Sequence, residues 1–231
     1  MPSLSLARLP AALRRCLAIT TLPLLLVACG GGGGSAGNTN SYNLDGAISR
    51  AMQTGVQVSG LTGSLGGVGF TLALSYVPLA DAPFEGTQRH AVRETVTISG
   101  GGSTETTVAT NYFSTGPYVD RGSLDTSGAL LVRTSTGNLP TAARVGDSGP
   151  LNTGISYADA SKQVIEATTS TTWSLDADTD STALACQRTV INEVGSATPI
   201  TGVQCWRINT AGDVLGSEVS ISVNGSILQF R

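Results

Sequence analysis

Gln163–Leu175 reads QVIEATTSTTWSL, and its alternation decides the fold class. Ile165, Ala167, Thr169, Thr171, Trp173 and Leu175 fall on one side of an extended chain. Glu166, Thr168, Ser170, Thr172 and Ser174 fall on the other. Successive strand side chains point to opposite faces, so a period of two held this long describes a strand with one face buried and one wet. Antiparallel sheets have that habit.

The same grammar extends over residues 41–231, which are rich in threonine, serine, valine and glycine and lack helical periodicity. One short helix is expected over Asp45–Thr54, with Asp45 as its cap. Short alternating runs lie between turn signals. Asp125-Thr126-Ser127-Gly128 and Asn209-Thr210-Ala211-Gly212 each put a side-chain acceptor first and glycine fourth, which suits a type I turn closed by glycine. Asn224-Gly225 favours a two-residue type I′ turn. That turn sets Val223 opposite Ser226, Ile221 opposite Leu228 and Val219 opposite Phe230, so the apolar pairs share a face. Gly100–Ser103 reads as a hairpin tip between Glu94–Ser99 and Glu105–Tyr112. The glycines from Gly60 to Gly69 read as a bent or bulged strand that lets another backbone come close. Pro140–Gly154, rich in turn residues, is the expected crossing between two halves. The fold expected is one all-β antiparallel domain, a sandwich or partly open barrel of about ten to twelve strands.

Ahead of this domain the composition changes. Arg8, Arg14 and Arg15 make a basic leader without acids, and Cys16–Ala28 follows without a charge. That run is shorter than the roughly 20 apolar residues of a membrane span. It closes on Leu26-Val27-Ala28-Cys29. The segment resembles the signal of bacterial lipoproteins, whose lipobox is leucine, a small or apolar residue, alanine or glycine, then cysteine. The resemblance implies that residues 1–28 are a signal peptide removed before Cys29. It also implies acylation of Cys29 with palmitate-type chains, so the partner is a membrane reached through lipid. Gly30 is not the aspartate associated with inner-membrane retention, which implies the outer membrane. Residues 29–40 are then the lipidated cysteine and a glycine-rich tether. The tether reaches about 18 Å, from 5–6 Å times the square root of its length.

On this reading two of the four cysteines are accounted for, and Cys186 and Cys205 remain as a pair in an oxidising compartment. A hairpin centred between Gly195 and Ser196 sets them directly opposite. A four-residue loop, Val194–Ala197, keeps Pro199 off a position that needs its missing N–H. A disulfide is therefore expected. Loss of the leader removes three arginines, so 13 basic residues become 10 against 16 acidic ones, a net of about −6. Lys162 is the lone lysine, and no basic stripe suits nucleic acid.

Catalytic and metal-binding patterns are incomplete. Gly146-Asp147-Ser148-Gly149-Pro150 resembles the nucleophile loop of chymotrypsin-like proteases, and His90, Asp120 or Asp125, and Ser148 run in that family's order. Pro150 stands where the family has a second glycine, and His90 lacks its usual neighbours. Asp176, Asp178 and Asp180 alternate like the ligands of a calcium loop, but Ser181 and Gln187 replace the glycine and glutamate of the helix-loop-helix version. His90 is the single histidine, so paired-imidazole metal sites are excluded. Trp173 is expected in the core, and Trp206, beside Cys205, on the surface as a stacking platform. No cofactor and no catalytic residue is assigned. The leading reading is a non-enzymatic binding or structural module of the cell envelope. The alternatives are a carrier of an apolar ligand in a barrel cavity and a serine hydrolase using Ser148 and His90.

Overall fold

The alternating runs all form strands. The structure, a computed structural model, describes residues 38–223 and 226–231. Helix α1 (Leu44–Thr54) is followed by β1 (Val56–Leu65), β2 (Val68–Pro78), β3 (Ala82–Phe84), β4 (Thr87–Gly100) and β5 (Ser103–Ser114). Next come β6 (Val119–Asp125), β7 (Leu130–Thr136), β8 (Ser148–Tyr157) and β9 (Ile165–Ala177). The chain ends with β10 (Thr182–Glu193), β11 (Ile200–Asn209), β12 (Val214–Val223) and β13 (Ser226–Phe230). Apart from β3, which pairs with β4 alone, each strand is hydrogen-bonded antiparallel to its successor along the path β1-β2-β4-β5-β6-β7-β8-β9-β10-β11-β12-β13. The meander curls until its ends meet. Thr62 N donates to Arg231 O at 2.9 Å, and Arg231 N donates to Thr62 O at 3.1 Å. The result is a nearly closed barrel. Residues 140–154 do not cross between halves, because the ladder runs unbroken from β7 through β8 to β9.

The alternation of β9 resolves into inside and outside. Ala167, Thr169, Thr171 and Leu175 are buried, while Thr168, Ser170 and Thr172 are exposed. Ile165, at the strand's start, is exposed, and Trp173 is half-buried. The short turns sit as the residues demand: Gly128 (φ 95°) closes β6–β7, Gly212 (φ 82°) closes β11–β12, and Gly101 and Gly102 make the β4–β5 tip. Gly60 lies in a bulge of β1 between Val58 and Leu61. Gly63 lies so close to the Gln229 carbonyl that a side chain there would collide with it. Asn224-Gly225 lies outside the described residues, but the register on either side is the expected one: Val219 opposite Phe230, Ile221 opposite Leu228, Val223 opposite Ser226.

Helix α1 lies across one end of the barrel. Its cap is Asn43, two residues earlier than expected, whose Oδ1 accepts from Gly46 N at 2.7 Å. Asp45 instead sits in the first turn and accepts from Tyr118 N at 2.8 Å, tying the helix to the β5–β6 connection. Leu44 N donates to Pro140 O, and Arg50 reaches Asp213 at 3.1 Å, so the β7–β8 and β11–β12 connections are held as well. Leu44, Ala47, Ile48, Ala51 and Met52 turn inward and join the main core. Outside the wall, the β3–β4 hairpin lies back over β5–β7, with Phe84 stacked on Tyr112 at 4.4 Å. Gly122 (φ 134°) permits this, because a side chain there would strike the Phe84 ring and the Leu131 carbonyl.

Cys186 faces Cys205 in the β10–β11 ladder, with Cα atoms 3.9 Å apart and sulfurs 2.07 Å apart. The loop is longer than four residues. Pairing ends at Ile191 and Ile200, and Pro199, lacking an N–H, stands just beyond the last rung. Closing this loop constrains the unfolded chain. Reduction is expected to lower stability by about 3 kcal/mol. Denaturant midpoints with and without reductant check this, and equal midpoints would contradict it.

Candidate functional site

The barrel interior beneath α1 is polar, and register explains how it is assembled. Tyr76 of β2 stands opposite Glu94 of β4, and Val92, two residues along β4, stands opposite Asn111 of β5. Tyr76 Oη lies 2.7 Å from Glu94 Oε1, and Asn111 Nδ2 donates to Glu94 Oε2 at 2.9 Å. Across the barrel, the Gln204 amide of β11 lies against the same hydroxyl, with Nε2 at 3.1 Å and Oε1 at 3.2 Å. Glu94 is 2% exposed.

A second cluster adjoins the first. A bulge between Tyr112 and Phe113 in the β5–β6 ladder shifts the pairing, so that Asp120 stands opposite Phe113 and turns inward. There its Oδ2 accepts from Arg133 Nε at 2.7 Å and lies 2.6 Å from Arg133 Nη2. Arg133 Nη1 donates to Thr169 Oγ1 at 3.2 Å, and Gly122 N donates to Asp120 Oδ1 at 2.9 Å. Two contacts from one guanidinium to one carboxylate make a charge-assisted pair with fixed geometry. Between the clusters lies a cavity of about 50 Å³, roofed by Ile48 and Met52 of the helix and walled by Trp206. Burial raises the Tyr118 hydroxyl well above its ordinary value; Asp120, Glu94 and Asp45 add to the rise, and Arg133 opposes it.

The sequence-derived candidates lie elsewhere. His90 is on β4, with Nδ1 3.3 Å from Asp81 Oδ1. Ser148 opens β8 as an exposed residue opposite Ser174. Strands β5, β6 and β7 stand between them in the sheet, so they are not brought together. Asp120 serves Arg133, and Asp125 caps its own turn by accepting from Ser127 N and Ala129 N. Of the three alternating aspartates, Asp176 and Asp180 are exposed. Asp178 is held by Arg207 Nε at 2.8 Å and Nη2 at 3.1 Å, so a guanidinium already fills the place a cation would take. Among the described residues, no group of three or more His, Cys, Asp or Glu could hold a metal ion.

Trp206, expected on the surface, is buried, and Trp173, expected in the core, is half-buried against it. Trp206 is 2% exposed and meets Tyr76 edge-on at 5.5 Å. Its cross-strand neighbours, Ala185 and Ser217, are small and leave the indole room inside. Trp173 packs only partly against the core. Glu94, Arg133 and Gln204 had no sequence signal: polar residues within alternating strands look like wet-face residues until the inward face is known. No protein-family model, curated protein or solved structure matches the chain.

Removing one member of a buried ion pair leaves the other uncompensated. Arg133→Met should therefore cost about 3 kcal/mol, and Arg133→Met with Asp120→Asn should recover part of it. Chemical denaturation of the three proteins decides; equal losses in single and double variants would contradict the pairing.

The Arg207 hydrogen bond, aided by Thr182 and the guanidinium charge, holds the Asp178 carboxyl below its ordinary value against the opposing effect of desolvation. A carboxyl lowered on folding stabilises the fold above its unfolded value, and that stability is lost as pH falls through the folded value. Asp178→Asn should thus be less stable than the parent near neutrality, by about 1 kcal/mol at most because Arg207 is half in solvent. The difference should vanish below the ordinary carboxylate range. A difference that persists or grows in acid would refute the pairing.

Proposed function

We propose that the chain is an envelope lipoprotein, cut before Cys29 and anchored to the outer membrane by lipid on that residue.

 In this reading the barrel is a non-enzymatic binding or structural module displayed on a glycine-rich tether. The observation that carries it is how the barrel is filled. Helix α1 and the inward side chains leave about 50 Å³ beneath the helix, whereas pockets for small molecules run to roughly 300–1,000 Å³. A carrier of an apolar ligand draws no support from so small and polar a space, and a hydrolase draws none from Ser148 and His90 standing on separated strands.

The path of the chain also supports display. Asn38 lies against the Thr179 and Thr182 carbonyls, at the end of the barrel that α1 covers. A lipid attached upstream of it keeps that end toward the membrane. The β8–β9 and β10–β11 connections, at the other end, then face away. They carry the exposed apolar residues Val164, Ile165 and Val194, the last 69% exposed. Among the described residues no helix is long and apolar enough to cross a membrane, so anchoring in this reading rests on the acyl chains.

Cys29→Ser tests the anchor. The variant is expected to move from the membrane fraction to the soluble envelope fraction and to lose the mass of the acyl groups. Unchanged fractionation together with unchanged mass would overturn the reading.

A further inference from the structure

We propose that Arg89, Arg121 and Ser114 form a binding site for one phosphate group on the outer rim of the barrel, at the end that α1 covers. The site stands on these residues alone. In the anchored reading that end faces the membrane, so a lipid headgroup is the nearest source of the phosphate; the free ion offers the same chemistry.

Two positive charges converge there. Ser114 ends β5, just before the connection that Asp45 ties to α1. Arg121 is the extra residue of the β5–β6 bulge, without a rung of its own between Gly122, opposite Tyr112, and Asp120, opposite Phe113. Arg89 comes from the β3–β4 hairpin, opposite Ala82. Arg89 Nη1 and Arg121 Nε each donate to Ser114 Oγ at 2.8 Å, so these two nitrogens lie no farther apart than twice that distance. All three residues are half-buried. Like charges this close repel, and an ionised group partly withdrawn from water needs a compensating charge nearby.

Every hydrogen-bonding function left over at this point is a donor. A serine oxygen has two lone pairs, and the two arginines fill both, so the Ser114 hydrogen is left to donate to a third partner. A guanidinium carries five N–H donors and no acceptor. Among the described residues neither arginine meets a carboxylate, and Arg89 Nε is buried without a hydrogen-bond partner. The acids nearest in sequence are turned to other groups: Asp81 faces His90, and Asp120 serves Arg133. Nor is the pair a share of a generally basic surface, because the chain holds 16 acidic residues against 13 basic ones. Three converging donors need an anion with several acceptor oxygens. Phosphate supplies them, and a planar guanidinium matches its oxygens two at a time, as an ammonium does not.

Thermal unfolding of the full-length protein in a phosphate-free detergent tests the proposal at constant ionic strength. Inorganic phosphate is compared with chloride, and phosphatidylglycerol with diacylglycerol. Phosphate in one or both forms should raise Tm, by about 3–5 °C for each tenfold rise in concentration above half-saturation. A rise with phosphatidylglycerol alone identifies the headgroup, a rise with the inorganic ion alone identifies free phosphate, and a rise with both shows that the site takes either. Arg121→Gln should abolish the rise, and Ser114→Ala and Arg121→Lys should weaken it. No rise with either form would overturn the proposal on the parent protein alone, even if a variant failed to fold. So would an equal rise in Arg121→Gln, which marks a general salt effect. Inorganic phosphate should act alike on the parent and on Cys29→Ser, so failure here and failure of the anchor are read separately.

Discussion

A barrel of twelve strands encloses more space than its own inward side chains can fill, and this constraint governs the rest of the structure. Around eight strands, side chains alone close the interior; wider barrels need a ligand, water or a plug. Here the chain supplies its own plug. Helix α1 is short, but it turns Leu44, Ile48 and Met52 inward, and Trp206 and Phe230 come to meet them from the wall. The helix is fixed by contacts to three inter-strand connections, which makes it part of the barrel's end and not an appendage.

What the helix does not fill is polar, and polarity inside a barrel is costly unless each group finds a partner. The partners come from strands far apart in sequence. Tyr76 and Gln204 are 128 residues apart, and Arg133 reaches Thr169 across 36. Thr171 and Thr189 pair their hydroxyls at 2.6 Å between neighbouring strands. Slipping any strand by one residue would turn these groups outward and bring their neighbours in, so the network penalises wrong registers as well as adding hydrogen bonds.

Closure solves a separate problem at the wall. An open sheet of this length would present two edges of unpaired backbone groups. The Thr62–Arg231 pair brings the first and last strands together, and Gly63 allows the close approach beside it. The β3–β4 hairpin covers part of the outer surface, and the Lys162–Glu85 ion pair fastens its tip to the β8–β9 connection.

Local rules were enough for much of this. The period-two run of Gln163–Leu175 gave the inward face of β9, and turn chemistry located the β4–β5, β6–β7 and β11–β12 reversals. Asn224-Gly225 fixed the last register, and one count of residues placed Cys186 opposite Cys205. Each depends on neighbours in sequence or on a single hairpin, where backbone geometry leaves few choices. The closed barrel, the helix inside its end, the burial of Trp206 and the meeting of Glu94, Tyr76 and Gln204 were not legible. They depend on which strands end up across the barrel from one another, and that is set by curvature, bulges and the space a closed sheet must fill, none of which has a period in the sequence.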